Sequence, residues 1–171
     1  MNVPEIYDYL VRARRDLWAT LEGVPDEVLS RQLLDGKRLH SIKDLVFHTA
    51  VVEDCWLHED IVGDEPVRST FPIFENSPWA PVYAGFTLGT LLDYWRAVEQ
   101  STLKYLATLT NDELNRIVIV HDAPEERYTV DGLLWHVMIH EMRHTAQIAV
   151  LLRTQGIEPP WLDLKNYLPF A

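Results

Sequence analysis

The chain is predicted to be all-α: a four-helix bundle with a long crossover loop between its second and third helices and at most a small hairpin before its fourth. Three observations predict this. Four long stretches carry apolar residues at three- and four-residue spacing, the signature of helices with one buried face. Glycine and proline punctuate the gaps between those stretches. A segment rich in proline and aromatic residues separates the second stretch from the third, as a crossover in such a bundle requires.

The first helix starts at Asn2, with Glu5 three positions on as the partner of a capping box and Pro4 in the tolerant first turn. Ile6, Leu10, Ala13, Leu17 and Leu21 form its stripe, and Arg12, Arg14, Arg15 and Asp16 fall mostly off it. Gly23 and Pro25 end the helix, and residues 24–40 form a connector with a short helical turn at 26–29. The second helix opens at Ser41, with Asp44 as capping partner. Ile42, Leu45, Val46, Val52 and Trp56 make its core side, and His48 points inward with them. Cys55 lies on roughly the same face about 10 Å further along the axis and reads as a small buried hydrophobe.

Between Gly63 and Gly85, Pro66, Pro72, Pro78 and Pro81 exclude a long helix, while Phe71, Phe74, Trp79 and Tyr83 are too apolar for a disordered linker. The loop from Phe71 to Tyr83 is either a lid over a binding site or a strap packed on the bundle. The third helix runs from Thr87 to about Leu109, with Leu88, Leu91, Trp95, Val98, Thr102 and Leu106 on its stripe. Ile117–Val120 is β-prone, and Tyr128 and Thr129 can pair with it across a turn at 122–126. Thr129 caps the fourth helix, which ends near Gly156 and Pro159. Trp161, Leu164, Tyr167, Leu168 and Phe170 predict a tail folded back over apolar surface.

The fourth helix carries the chemistry. His136, His140 and His144 recur every four residues, so they share one face, with neighbours about 6 Å apart along the axis. His136 and His144 are separated by about 12 Å, too far to chelate one ion together. His140 and His144 form the natural bidentate grip, and burying imidazoles among leucines is costly unless they are paired or metallated. Inward-facing His48 is the candidate third ligand. His140-Glu141-Met142-Arg143-His144 also spells the H-E-x-x-H pattern of zinc peptidases. That reading is disfavoured because Val150 stands where the extended pattern needs histidine, and Glu141 is rotated about 100° from His140. A second apolar side of this helix, made by Trp135, Met138, Met142, Ala146 and Ala149, calls for a further partner, such as another copy of the chain.

Composition sets the outer limits. The 171 residues suit one domain, 47% are hydrophobic and 24% charged, as in soluble globular proteins. A net charge of −11 argues against a sequence-independent grip on nucleic acid. No run resembles a membrane span or a signal peptide, and the single cysteine fits a reducing compartment, so a cytoplasmic location is expected.

Taken together, Ser41-Ile42-Lys43-Asp44-Leu45-Val46-Phe47-His48, Tyr128-Thr129-Val130, Leu134-Trp135-His136, His140-Glu141-x-x-His144-x-x-Gln147, Leu152-Arg153-x-x-Gly156 and Pro159-Pro160 resemble the DinB-like (DinB/YfiT) superfamily over essentially residues 1–171. His144-Thr145-Ala146-Gln147 departs at two positions from the usual histidine, arginine, glycine, glutamine ending, but keeps the ligand position and the glutamine. The resemblance implies a four-helix bundle, often a homodimer, with a three-histidine centre for zinc or nickel whose ligands here are His48, His140 and His144. It further implies a thiol S-transferase in which the metal activates a low-molecular-weight thiol, or water, against an electrophilic small molecule. His136, Gln147 and, less favourably placed, Glu141 are the candidates for orienting ligands or carrying protons. A non-catalytic metal-stabilised bundle with a stress-response or scaffold role, and a metal-dependent hydrolase, are the alternatives.

Overall fold

The computed structural model describes residues 2–36, 38–74 and 85–169. Helices dominate: α1 (Val3–Glu22), α2 (Asp26–Ser30), α3 (Ile42–Cys55), α4 (Leu88–Leu106), α5 (Asn111–Asn115) and α6 (Val130–Thr154), with a small antiparallel pair, β1 (Ile117–Val120) and β2 (Ala123–Thr129). Side-chain caps define where the long helices begin. The Asn2 side chain accepts from the Glu5 amide while Glu5 accepts from the Asn2 amide, and Ser41 and Asp44 repeat the exchange at α3. Thr87 and Thr129 accept from the amides of Thr90 and Gly132. Each cap satisfies an amide that the first helical turn leaves without a carbonyl partner.

Of the long helices, α3 lies against both α4 and α6, and so does α1. Leu17, Trp18, Phe47, Trp95 and Leu152 belong to one apolar cluster, and Tyr7, Leu10, Val118, Val130 and Met138 to a second.

Between them lies a charged group that the apolar pattern did not foretell. Arg14, expected off the stripe, is 1% exposed. Its guanidinium donates to Glu141 Oε1 and Oε2 at 2.9 and 2.6 Å, to Glu99 Oε2 at 3.0 Å and to Glu53 Oε2 at 3.2 Å. One charged residue from each long helix therefore meets at one point: Arg14 from α1, Glu53 from α3, Glu99 from α4 and Glu141 from α6. Tyr7 and Thr102 hydroxyls complete Glu53, and Arg15 pairs with Glu99 from the rim. The clue in the sequence was position: Arg14 follows Leu10 by four residues and precedes Leu17 by three, which puts it on the buried face.

Other boundaries shifted for local reasons. Helix α3 continues past Cys55 as a π-helical stretch, Trp56–Val62, stopped by Gly63 in the left-handed region at φ 79°. Helix α4 ends at Leu106, short of Leu109. Strand β2 spans seven residues, its turn is at His121 and Asp122, and the register slips between Ile119 and Val120. Glu125, Glu126 and Arg127 are exposed, so this strand carries no inward–outward alternation that a pattern search could detect.

Of the aromatic crossover, Phe71 and Phe74 pack on the core: the Phe74 ring lies 4.6 Å from Phe47 and 5.3 Å from Tyr94. Asp54 holds the preceding loop by accepting from the amides of Val67 and Arg68 at 2.8 and 2.9 Å. Trp79, Tyr83, Pro78 and Pro81 lie outside the described residues, as does Phe170. The tail does fold back, with the Tyr167 hydroxyl on Asp16 at 2.7 Å and its ring 5.4 Å from Tyr9, but Trp161 stays 69% exposed. No helix among the described residues is long and apolar enough to cross a membrane.

Candidate metal centre

Helices α3 and α6 meet at three imidazoles. His140 Nε2 lies 3.2 Å from His48 Nε2 and 3.1 Å from His144 Nε2, and the ligand atoms of all three fall within 4.8 Å of one another. The helical repeat of α6 brings His140 and His144 together, with ring centres 4.3 Å apart, and α3 delivers His48 from across the helix pair. His144 is buried while His48 and His140 are half-buried, so the group sits at the rim of the helix packing.

Proton counting shows why this arrangement suits a cation. A ring nitrogen has one in-plane position, which holds either a proton or a lone pair. His140 Nε2 touches two other ring nitrogens, so it cannot make a good hydrogen bond to both. A divalent ion accepts all three lone pairs at once. Nitrogens about 2.0–2.1 Å from a tetrahedral ion lie about 3.3 Å apart, close to the separations seen here. The three histidines could thus hold a metal ion.

The neighbours favour neutral, correctly protonated rings. His144 Nδ1 is 2.6 Å from Gln147 Oε1, so its Nδ1–H donates and its Nε2 lone pair is left for the centre. Replacing Gln147 by alanine is expected to weaken metal affinity about 10–100-fold, measured by competition with a chromophoric chelator.

Burial lowers the pKa of His48 to about 4, assisted by His144 and Arg38. Burial lowers that of His140 to about 3, assisted by His144 and His48. His144 is also lowered by burial, with Gln147 opposing. Unfolded imidazoles protonate near pH 6.5, so below that value the unfolded chain binds more protons than the native one. The histidine contribution to apo-protein stability is therefore complete above about pH 6.5 and is lost as pH falls toward 4 and 3. Metal uptake follows the native pKa values. Zinc affinity, titrated against a chelator, should fall less between pH 7 and 5 than three imidazoles of ordinary pKa would allow, because all three are lowered.

The remaining expected site residues are placed differently. His136 is exposed, its ring 5.3 Å from Trp56 and 6.1 Å from His140, outside the convergent group. Glu141 points into the buried space between the helices, where both its oxygens accept from Arg14, and it makes no hydrogen bond to the three histidines among the described residues. The helical repeat explains this, because a residue next to His140 is turned about 100° away from it. Burial pushes the Glu141 carboxyl up, with Arg14 pulling the other way. The general-base position that H-E-x-x-H gives a peptidase is thus filled by a side chain engaged elsewhere. Cys55 is buried, and burial pushes its thiol up to about 12.

A family model described as the DinB family matches residues 1–171. The chain belongs to the DinB family. The match extends over the whole DinB chain described here, including both helices that carry the three histidines. No curated protein matches it.

Proposed function

We propose that this DinB family protein is a metal-dependent enzyme that joins a low-molecular-weight thiol to an electrophilic small molecule. In this reading His48, His140 and His144 hold a divalent transition ion, zinc or nickel. The observation that carries it is the convergence of three Nε2 atoms at a half-open rim. Such a divalent ion would supply the positive charge that makes a thiol or water lose its proton near neutral pH. The ligand set accepts zinc, nickel, cobalt or iron, so supply decides between them.

The chain's own residues have separate tasks. Gln147 fixes the His144 tautomer. His136, exposed one turn from His140, receives the thiol proton and passes it to solvent as the new S–C bond forms and the electrophile's leaving group departs. Glu141 acts at a distance, keeping α6 in register through Arg14. A catalytic rather than structural metal is supported by that same buried group, since it ties all four long helices together without any ion.

The domain is read as a single four-helix bundle over 1–171, cytoplasmic, and paired with a second copy. Exposed Val150 and Trp161 flank a cleft of about 520 Å³ lined by Met142, Ala146, Ala149 and Pro160, a surface that suits a homodimer. Light scattering showing a monomer mass at every concentration would remove the dimer.

The test of the activity is consumption of 1-chloro-2,4-dinitrobenzene by the metal-loaded protein, with and without added thiols. Thiol-dependent turnover that disappears on chelation is expected. Metal-loaded protein that turns over no electrophile with any thiol, yet unfolds on chelation, would establish the structural-metal alternative instead.

A further inference from the structure

The chain is acidic, with 26 Asp and Glu against 15 Lys and Arg. Most of its arginines are already engaged: Arg12 with Asp8, Arg14 and Arg15 with the buried glutamates, Arg68 with Glu59, Arg96 with Glu22, and Arg116 with Glu113. Four exposed arginines, Arg38, Arg127, Arg143 and Arg153, form no ion pair or side-chain hydrogen bond among the described residues, and two of them, Arg38 and Arg143, concern the three histidines. Arg143 stands beside the three histidines on α6. Arg143 is adjacent to His144, three residues after His140 and four before Gln147, on the outer side of α6.

Arg38 comes from the connector ahead of α3, which is held against the helices. The His40 carbonyl accepts from the amides of Leu33 and Leu34 at 2.8 and 3.1 Å, and the His40 amide donates to Asp44 at 2.8 Å. Leu34 borders a small apolar hollow with Ala146, Gln147 and Leu151 of α6. Between Arg38 and His40, Leu39 is held at φ 60°, a left-handed conformation costly for a branched residue and kept only where surroundings impose it. The connector thus presents Arg38 from a fixed backbone beside the centre, and its charge reaches His48 as that of Arg143 reaches His136, His140 and His144.

We propose that Arg38 and Arg143 form an anion-binding subsite flanking the three-histidine centre, so that the small molecule taken beside that centre carries a carboxylate. Two such guanidiniums on either side of one centre attract an anion to it against the chain's net charge of −11. Each can hold a carboxylate through two parallel N–H donors, a geometry that lysine lacks. The subsite rests on the three-histidine reading of the centre, because it positions a ligand relative to that centre.

Calorimetric titration of zinc-loaded protein with 3-mercaptopropionate and with neutral 2-mercaptoethanol tests it, in the native chain and in an R38Q/R143Q double variant. The variant keeps the side chains' polarity and leaves the histidines untouched. Two exposed charge contacts predict an affinity preference for the carboxylate thiol about three- to tenfold larger in the native chain than in the variant. That difference should shrink at high salt. An equal preference in both proteins, with one zinc per chain in each, overturns the subsite and leaves the metal centre standing. Native protein that takes up no zinc overturns the metal centre and, with it, the subsite.

Discussion

Protein with His140 replaced by alanine should carry almost no transition metal, while the native chain, purified without a metal-affinity tag, carries about one equivalent. His140 is the middle of the three: its Nε2 touches both His48 and His144. Loss of an outer partner of a ligand already costs about 10–100-fold in affinity, so loss of a ligand costs more. Elemental analysis with added zinc and nickel reads the outcome directly, and His48→Ala should behave the same way. Folding is expected to survive, because His140 is half-buried and the Arg14 group holds the helices independently. A melting temperature that collapses in the metal-free variant would show that the ion is structural. Full metal occupancy in His140→Ala would refute the assignment of ligands.

The second large effect is expected at the buried charge. Arg14→Met removes the shared partner of Glu53, Glu99 and Glu141 while roughly conserving volume. Breaking a buried ion pair from one side costs about 3–5 kcal/mol, because uncompensated charge stays behind. Urea unfolding at pH 7 should show a loss of that order. The pH dependence should invert as well. Burial already pushes the Glu141 carboxyl up against the pull of Arg14, so without Arg14 it holds its proton to higher pH still. Its contribution is complete below the unfolded carboxyl pKa and lost as pH rises through its raised folded value. The variant should therefore recover part of its stability between pH 7 and 5, where native protein is losing the histidine contribution. Glu141→Gln separates structure from chemistry: some stability is lost, and metal uptake is expected to remain. A Glu141→Gln protein that no longer binds metal would place that carboxylate in the centre after all.

Local patterns determined a great deal here. The capping pairs Asn2 with Glu5 and Ser41 with Asp44, and the caps Thr87 and Thr129, name the starts of the long helices because a cap bonds within three residues. His140 and His144 were legible as a pair for the same reason, since four residues of helix return a side chain to the same face. His48 was legible as inward-facing from its place between Leu45 and Val52. Family membership was legible too, being carried by motifs spread along the whole chain.

Tertiary structure decided whatever depends on residues far apart in sequence. Arg14 meets Glu53, Glu99 and Glu141 across separations of 39, 85 and 127 residues, and nothing near Arg14 announces three carboxylates on other helices. Glu141 belongs to that group, and which way it turned depended on α1 lying against α6. The length of strand β2 is not legible because its exposed charges lack alternation, and the π-helical stretch after Cys55 buries Leu57, His58 and Ile61 at a spacing that an α-helix would share. The course of the connector ahead of α3 likewise depends on the His40 carbonyl bonds and a left-handed Leu39. Helical repeat and capping are short-range and can be read along a chain, whereas the partner that makes a buried charge tolerable exists only once distant helices pack.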